Sequence, residues 1–188
     1  TASIHGTQGL NGWYTSEISI TAPQNHAIRR GSASNSSFAQ KIVIGKDSPE
    51  YNYIFSQGDE FGYVLRRDDN AILPPKTLIF KQDMLKPAII RKNSPLASPA
   101  QEEEIIIQLD NLGPSSKQET GGSIKLEMKS SAAGNQWIPL YPIEGEDYTY
   151  SYNATVNGTY SFRATNGAGV VSEIFSVPVT QIDKTKPV

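Results

Sequence analysis

The chain of 188 residues contains no cysteine. Disulfides, cysteine metal sites and thiol nucleophiles are therefore excluded. A small secreted scaffold stapled by disulfides is excluded with them. Histidine is nearly absent too, with only His5 and His26. General acid–base chemistry needs converging partners, and two histidines in loop-rich segments do not supply them. No apolar run approaches the roughly 20 residues of a membrane-crossing helix, so membrane insertion is not expected. Charge of one sign is lacking as well. Seventeen basic and nineteen acidic residues leave a net charge of -2. That balance offers no electrostatic reason to expect nucleic acid as a partner. Helical periodicity is also missing: no window of about a dozen residues repeats its apolar positions at helical spacing.

What is present is alternation. Tyr14, Ile18 and Ile20 fall on one face of a strand predicted over residues 13–21. Phe38, Ile42 and Ile44 share a face, as do Tyr51, Tyr53 and Phe55, and then Phe61, Tyr63 and Leu65. Further on, Ile105, Ile107 and Leu109 alternate with Ile106, Gln108 and Asp110. Ile124, Leu126 and Met128 alternate with Lys125, Glu127 and Lys129. Tyr148, Tyr150 and Tyr152 form another set, followed by Tyr160, Phe162 and Ala164, and by Phe175, Val177 and Val179. Turn signals separate these runs at intervals of about 8–12 residues, the rhythm of a β-sandwich. Eleven of these residues are expected to form one core: Ile105, Ile107, Leu109, Ile124, Leu126, Met128, Tyr160, Phe162, Phe175, Val177 and Val179.

The chain also repeats itself. Asp83, Lys86 and Pro87 recur as Asp183, Lys186 and Pro187, each displaced by 100 residues. Tyr63 to Arg66 (YVLR) matches Tyr160 to Arg163 (YSFR) in pattern. So long a period indicates whole domains in an array. The boundary is placed at the first DMLKP segment, where a proline ends the strand and holds the preceding residue extended. The domains are thus residues 1–86 and 87–188, the second closing on a linker that would join a further module. Tyr63 and Tyr160 each sit where a tyrosine can turn its hydroxyl back onto the preceding loop, the tyrosine corner of such sandwiches. Pro178, facing away from Val177 and Val179, implies an edge strand or a bulge.

Three stretches carry a resemblance: NGWYTS at residues 11–16, NGTYSF at 157–162 with NGAG at 166–169, and IDKTKP at 182–187. At these the chain resembles the tandem bacterial Ig-like domains of Gram-positive secreted and cell-surface proteins. It departs from them at Met84 and Leu85, apolar where such joints are polar, and in the serine-rich residues 31–37. The resemblance implies an all-β chain of two tandem Ig-like β-sandwich domains, outside the bacterial cell or on its surface. It implies no enzyme, but a spacer, stalk or adhesion-type binding surface. Neighbouring modules of the same chain are the expected partners, with a protein or glycan as a further candidate ligand, and the chain is expected to be a monomer. Successive modules are expected to stack lengthwise, with Met84 and Leu85 covered at the joint. The alternative is a carbohydrate-binding accessory module of an extracellular glycoside hydrolase.

No catalytic, cofactor-binding or metal residue is assigned, and no cofactor is expected. The acidic clusters Glu102–Glu104, Asp68 to Asn70, and Glu144, Glu146 and Asp147 could offer oxygen ligands to calcium, yet none has the spacing of an EF-hand loop. Each is read as a solvated turn or strand start, the last being the strongest exception. Asn-x-Ser/Thr patterns begin at Asn35, Asn153 and Asn157 and carry no meaning in a bacterial setting. No lysine is placed inward to form an isopeptide crosslink. What separates module from accessory module is an exposed, near-planar set of aromatics, for which Tyr148, Tyr150, Tyr152 and Trp137 are the candidates.

Overall fold

The computed structural model describes residues 1–31, 37–45 and 60–185. The strand expected over Tyr51 to Phe55, the turn at 57–59, Asn35 and the joint residues Lys186 and Pro187 lie outside the described residues. The chain divides into two compact units, Thr1–Met84 and Leu85–Val188.

In the first unit, β1 (Ser3–His5), β3 (Ile18–Thr21) and β5 (Lys41–Ile44) form one antiparallel sheet, while β4 (His26–Arg30), β6 (Glu60–Arg67) and β7 (Lys76–Ile79) form another. Two short strands, β2 (Trp13–Tyr14) and β8 (Lys81–Gln82), pair in parallel. Ile18, Ile20 and Ile44 from the first sheet pack on Ile28, Phe61, Tyr63 and Leu65 from the second. The single strand expected over 13–21 is broken. Thr15 turns to donate to Thr7 O at 2.9 Å, and Ser16 bonds Glu17 O. This releases β2 to pair with β8 while β3 stays beside β1.

Phe38 does not share a face with Ile42 and Ile44. Ala39 exchanges backbone hydrogen bonds with Ile28 in the other sheet at 2.7 and 2.9 Å, so the chain crosses between sheets just before β5. Phe38 instead lies between the guanidinium groups of Arg29 and Arg66, 4.7 and 4.8 Å from its ring centre. Such cation–π contacts hold an aromatic that the core does not use. The loop before β6, where the tyrosine corner of Tyr63 is expected, lies outside the described residues. Among the described residues, the Tyr63 hydroxyl accepts from the Ala2 N–H at 3.3 Å.

In the second unit, β9 (Ala88–Arg91), β10 (Glu103–Asp110) and β13 (Thr149–Ala154) form a sheet in the order β13-β10-β9. It faces a sheet of β11 (Ile124–Ser130), β12 (Ile138–Leu140), β14 (Gly158–Asn166) and β15 (Phe175–Val179), ordered β12-β11-β14-β15. The eleven expected core residues all pack in one cluster, Ile124 and Phe175 half-buried and the rest buried. Period-two alternation fixes their common face because register in a half-buried strand is set by that face. Pro178 lies on edge strand β15, opposite Thr159, where the missing N–H costs no ladder bond. Tyr160 makes the expected corner, its hydroxyl donating to Val156 O at 2.7 Å.

Both units close in the same way. Asp83 N–H donates to Tyr14 O at 2.9 Å, and Asp183 N–H donates to Ala100 O at 2.8 Å. Each bond belongs to a parallel pairing of the last extended segment with one near the start of its unit, β2 with β8 and Ala100 with Ile182. Asn157 reinforces the second closure, accepting from Ile182 N–H at 2.8 Å and donating to Ile182 O at 3.2 Å. Two facing antiparallel sheets joined by such a closure define the architecture. Each unit is an Ig-like sandwich.

The polar connection at residues 111–122 is not a loose loop. Ser115 and Ser116 are fully buried, and Ser115 O accepts from Ser123 N–H at 2.9 Å and Gly167 N–H at 3.2 Å. A Cβ on Gly167 would stand 2.4 Å from that oxygen, so the close approach requires glycine. The neighbouring Asn166 is also buried. Its side-chain oxygen accepts from Ala168 and Val170, and its amide donates to Leu85 O at 3.1 Å.

Candidate functional site

The structure places the sequence-derived candidates first as structural groups. His5 is exposed, and His26 donates Nδ1–H to Gln24 O at 2.8 Å within its own turn. Asp69 caps the turn at Asn70, accepting from Ala71 N–H at 3.1 Å and pairing with Arg67. That backbone donor, aided by Arg67, holds the Asp69 carboxyl below its ordinary value of 3.8. Glu144, Glu146 and Asp147 are exposed in the connection from β12 to β13, which crosses from one sheet to the other. Among the described residues no three of His, Asp and Glu gather closely enough to hold a metal ion.

Glu103 departs from the expected solvated strand start. It shares the inward parity of Ile105 and Ile107 and is buried, its carboxylate 2.8 Å from Arg91 Nη2. Arg91 also donates to Glu104 O and to Asn93 Oδ1, and Asn93 in turn bonds the β10 backbone at Glu104 O and Ile106 N–H. A buried charge persists only when paired and hydrogen-bonded, and this network meets both conditions. Its sequence signal was the parity of Glu103 itself, masked by two neighbouring glutamates.

The tyrosine set is taken up by the core. Tyr150 is buried, and burial pushes its hydroxyl above the ordinary value. Tyr152 packs its ring 5.6 Å from that of Tyr160. Tyr148 lies just before β13 with a positive φ of 66°, its hydroxyl accepting from Gln118 N–H at 3.0 Å. These three therefore do not form an exposed platform.

Trp137 does lie on an outer face. The register of β11 and β12 pairs Met128 with Ile138 and Glu127 with Pro139, so Pro139 stands on the side of Glu127, away from the core. Trp137 flanks the strand on that side, its ring centre 4.2 Å from the Arg163 guanidinium and 5.0 Å from Lys129 Nζ. Arg163 is fixed in turn by Glu127, with Nε donating to Oε1 at 3.1 Å. One residue past the strand, Tyr141 is 78% exposed. Trp137, Pro139 and Tyr141 thus occupy alternate positions of one edge segment, beside an outward row of Lys125, Glu127 and Lys129. Sequence reasoning named Trp137 but not Pro139 or Tyr141. The W-x-P-x-Y spacing was the signal.

No family model matches the chain, and no curated protein matches it. Among solved structures it is similar to the fibronectin(III)-like modules of Clostridium thermocellum CbhA, at 13% identity and a TM-score of 0.38, covering 100% of this chain and 98% of that one. It is similar to three N-terminal domains of the bacteriophage RB49 highly immunogenic outer capsid protein, at 9% identity and a TM-score of 0.36, covering 95% and 58%. The human OSCAR ligand-binding domain shows 12% identity and a TM-score of 0.35, covering 95% and 97%. The strand topology, not these likenesses, carries the fold.

Proposed function

We propose that the chain is a non-catalytic pair of Ig-like modules from a bacterial secreted or cell-surface protein, serving as a spacer that also presents a binding surface. One observation supports it above others: Glu103 and Asn166, buried polar side chains of the second unit, are committed to its framework. Glu103 is held by Arg91, and Asn166 is spent on the turn after β14. A hydrolase would need a nucleophile–base pair with a third group orienting the base. The bacterial setting follows from the resemblance carried by the NGTYSF and IDKTKP stretches.

A carbohydrate-binding role within an extracellular glycoside hydrolase is favoured by one specific observation, the outward row of Trp137, Pro139 and Tyr141. Assay of the purified chain against polysaccharide, peptide and ester substrates tests the non-catalytic reading. No turnover is expected. Turnover that survives repurification and is abolished by His5→Ala or His26→Ala overturns it.

A further inference from the structure

The outer face of the sheet β12-β11-β14-β15 combines two recognition chemistries. The first is flat, apolar and repeated. Trp137, Pro139 and Tyr141 project at alternate positions, so the span from first to last is about 13 Å along an extended chain. An aromatic ring presents a negative face to the polarised C–H groups of a pyranose, and proline offers a similar flat apolar surface. Arg163 and Lys129 hold the Trp137 ring in place, which removes much of the ordering cost of stacking on it.

The second chemistry is cationic. The outward side chains of β11 are Lys125, Glu127 and Lys129, and that of β14 opposite Glu127 is Arg163. Glu127 is turned onto Arg163, so the two lysines flank a neutralised pair. The whole chain carries a net charge of -2, so this basic row is a local feature and not a reflection of overall composition. Ser161 and Ser176 lie side by side on this side of the sheet, with Oγ atoms 3.3 Å apart and Ser161 buried. Pro139 removes a donor from the edge of β12, which discourages closure of that edge by another strand.

We propose that this face, at Trp137, Pro139, Tyr141, Lys125, Lys129 and Arg163, is a binding site for an acidic polysaccharide. Sugar rings stack along the edge segment, and their carboxylates meet the lysine row. The site rests on the reading of the chain as a module that presents a binding surface, and it names the ligand class.

Affinity electrophoresis of the full chain, in gels containing polygalacturonate or neutral galactan, tests the site. Retardation is expected with polygalacturonate and not with galactan, and it should weaken as salt screens the lysines. Tyr141→Ala should weaken binding roughly tenfold, the equivalent of losing one good stacking contact. It should leave the melting midpoint unchanged, because Tyr141 is 78% exposed. Lys125→Gln with Lys129→Gln should abolish the difference between the two gels. Absence of retardation by polygalacturonate overturns the proposal. So does equal retardation by galactan, or retardation unchanged in Tyr141→Ala. A chain that neither binds polygalacturonate nor turns over any substrate overturns this site and leaves the non-catalytic reading standing, whereas turnover overturns that reading instead.

Discussion

The hydroxyl of Tyr160 donates to the carbonyl of Val156 across 2.7 Å, tying β14 to the turn that precedes it. The ring beneath is 1% exposed, so the hydroxyl is placed by packing and not by its own freedom. Tyr160→Phe keeps the ring and removes this bond. Loss of about 1 kcal/mol is expected, the net contribution of one intramolecular hydrogen bond. Urea unfolding reads it directly. An unchanged midpoint would mean that water replaces the hydroxyl at no cost.

Leu126 stands at the centre of the second unit's core and is fully buried. Leu126→Ala removes its transfer energy and leaves a cavity, at a cost of about 2–5 kcal/mol. A loss under about 0.5 kcal/mol in a urea melt would contradict the register that pairs Leu126 with Ala164 and Leu140, since only an exposed site tolerates such truncation.

Glu103→Ala strands Arg91 in the interior. The arginine side chain is only 10% exposed and keeps, among the described residues, Asn93 and the Glu104 carbonyl as partners. Removing one member of a buried pair costs about 3–5 kcal/mol. Exchanging both residues for apolar ones of similar volume should recover much of that loss. Chemical denaturation of the single and double variants distinguishes a required pair from an incidental one.

Two exposed aspartates titrate low. A hydrogen bond from Ala71 N–H lowers Asp69, with Arg67 assisting, and one from Thr185 N–H lowers Asp183. In both cases the folded value lies below the ordinary 3.8. Whatever stability they lend is therefore complete above that value and is lost as pH falls through the lowered ones. Carboxyl-carbon NMR should give midpoints below 3.8 for both. A midpoint at or above it would show that the turn hydrogen bond is not kept in solution.

Much of this architecture was legible in the chain. The alternation of Ile124, Leu126 and Met128 with Lys125, Glu127 and Lys129 identified the buried face of β11, because successive side chains of a strand point to opposite sides. The pairing of Tyr63 to Arg66 with Tyr160 to Arg163 anticipated equivalent strands, β6 and β14, each the partner of a final strand in its sheet. Alternation was misleading where the chain changed sheets. Phe38 was in phase with Ile42 and Ile44 but is separated from them by the crossing at Ala39. The 13–21 stretch likewise read as continuous and is divided between two pairings.

The sequence by itself determined the strand period, the turns and the eleven-residue core of the second unit, since each follows from neighbours a few positions apart. Tertiary structure alone decided which aromatics face outward. Tyr150 and Trp137 sit in equally alternating stretches, but the opposite sheet covers one and leaves the other beside Arg163. Tertiary structure also decided the partner of Glu103 and the parallel closures of Tyr14 with Asp83 and of Ala100 with Asp183. Those pairings join segments distant in the chain, and local periodicity holds no information about which face or which strand will arrive from far away.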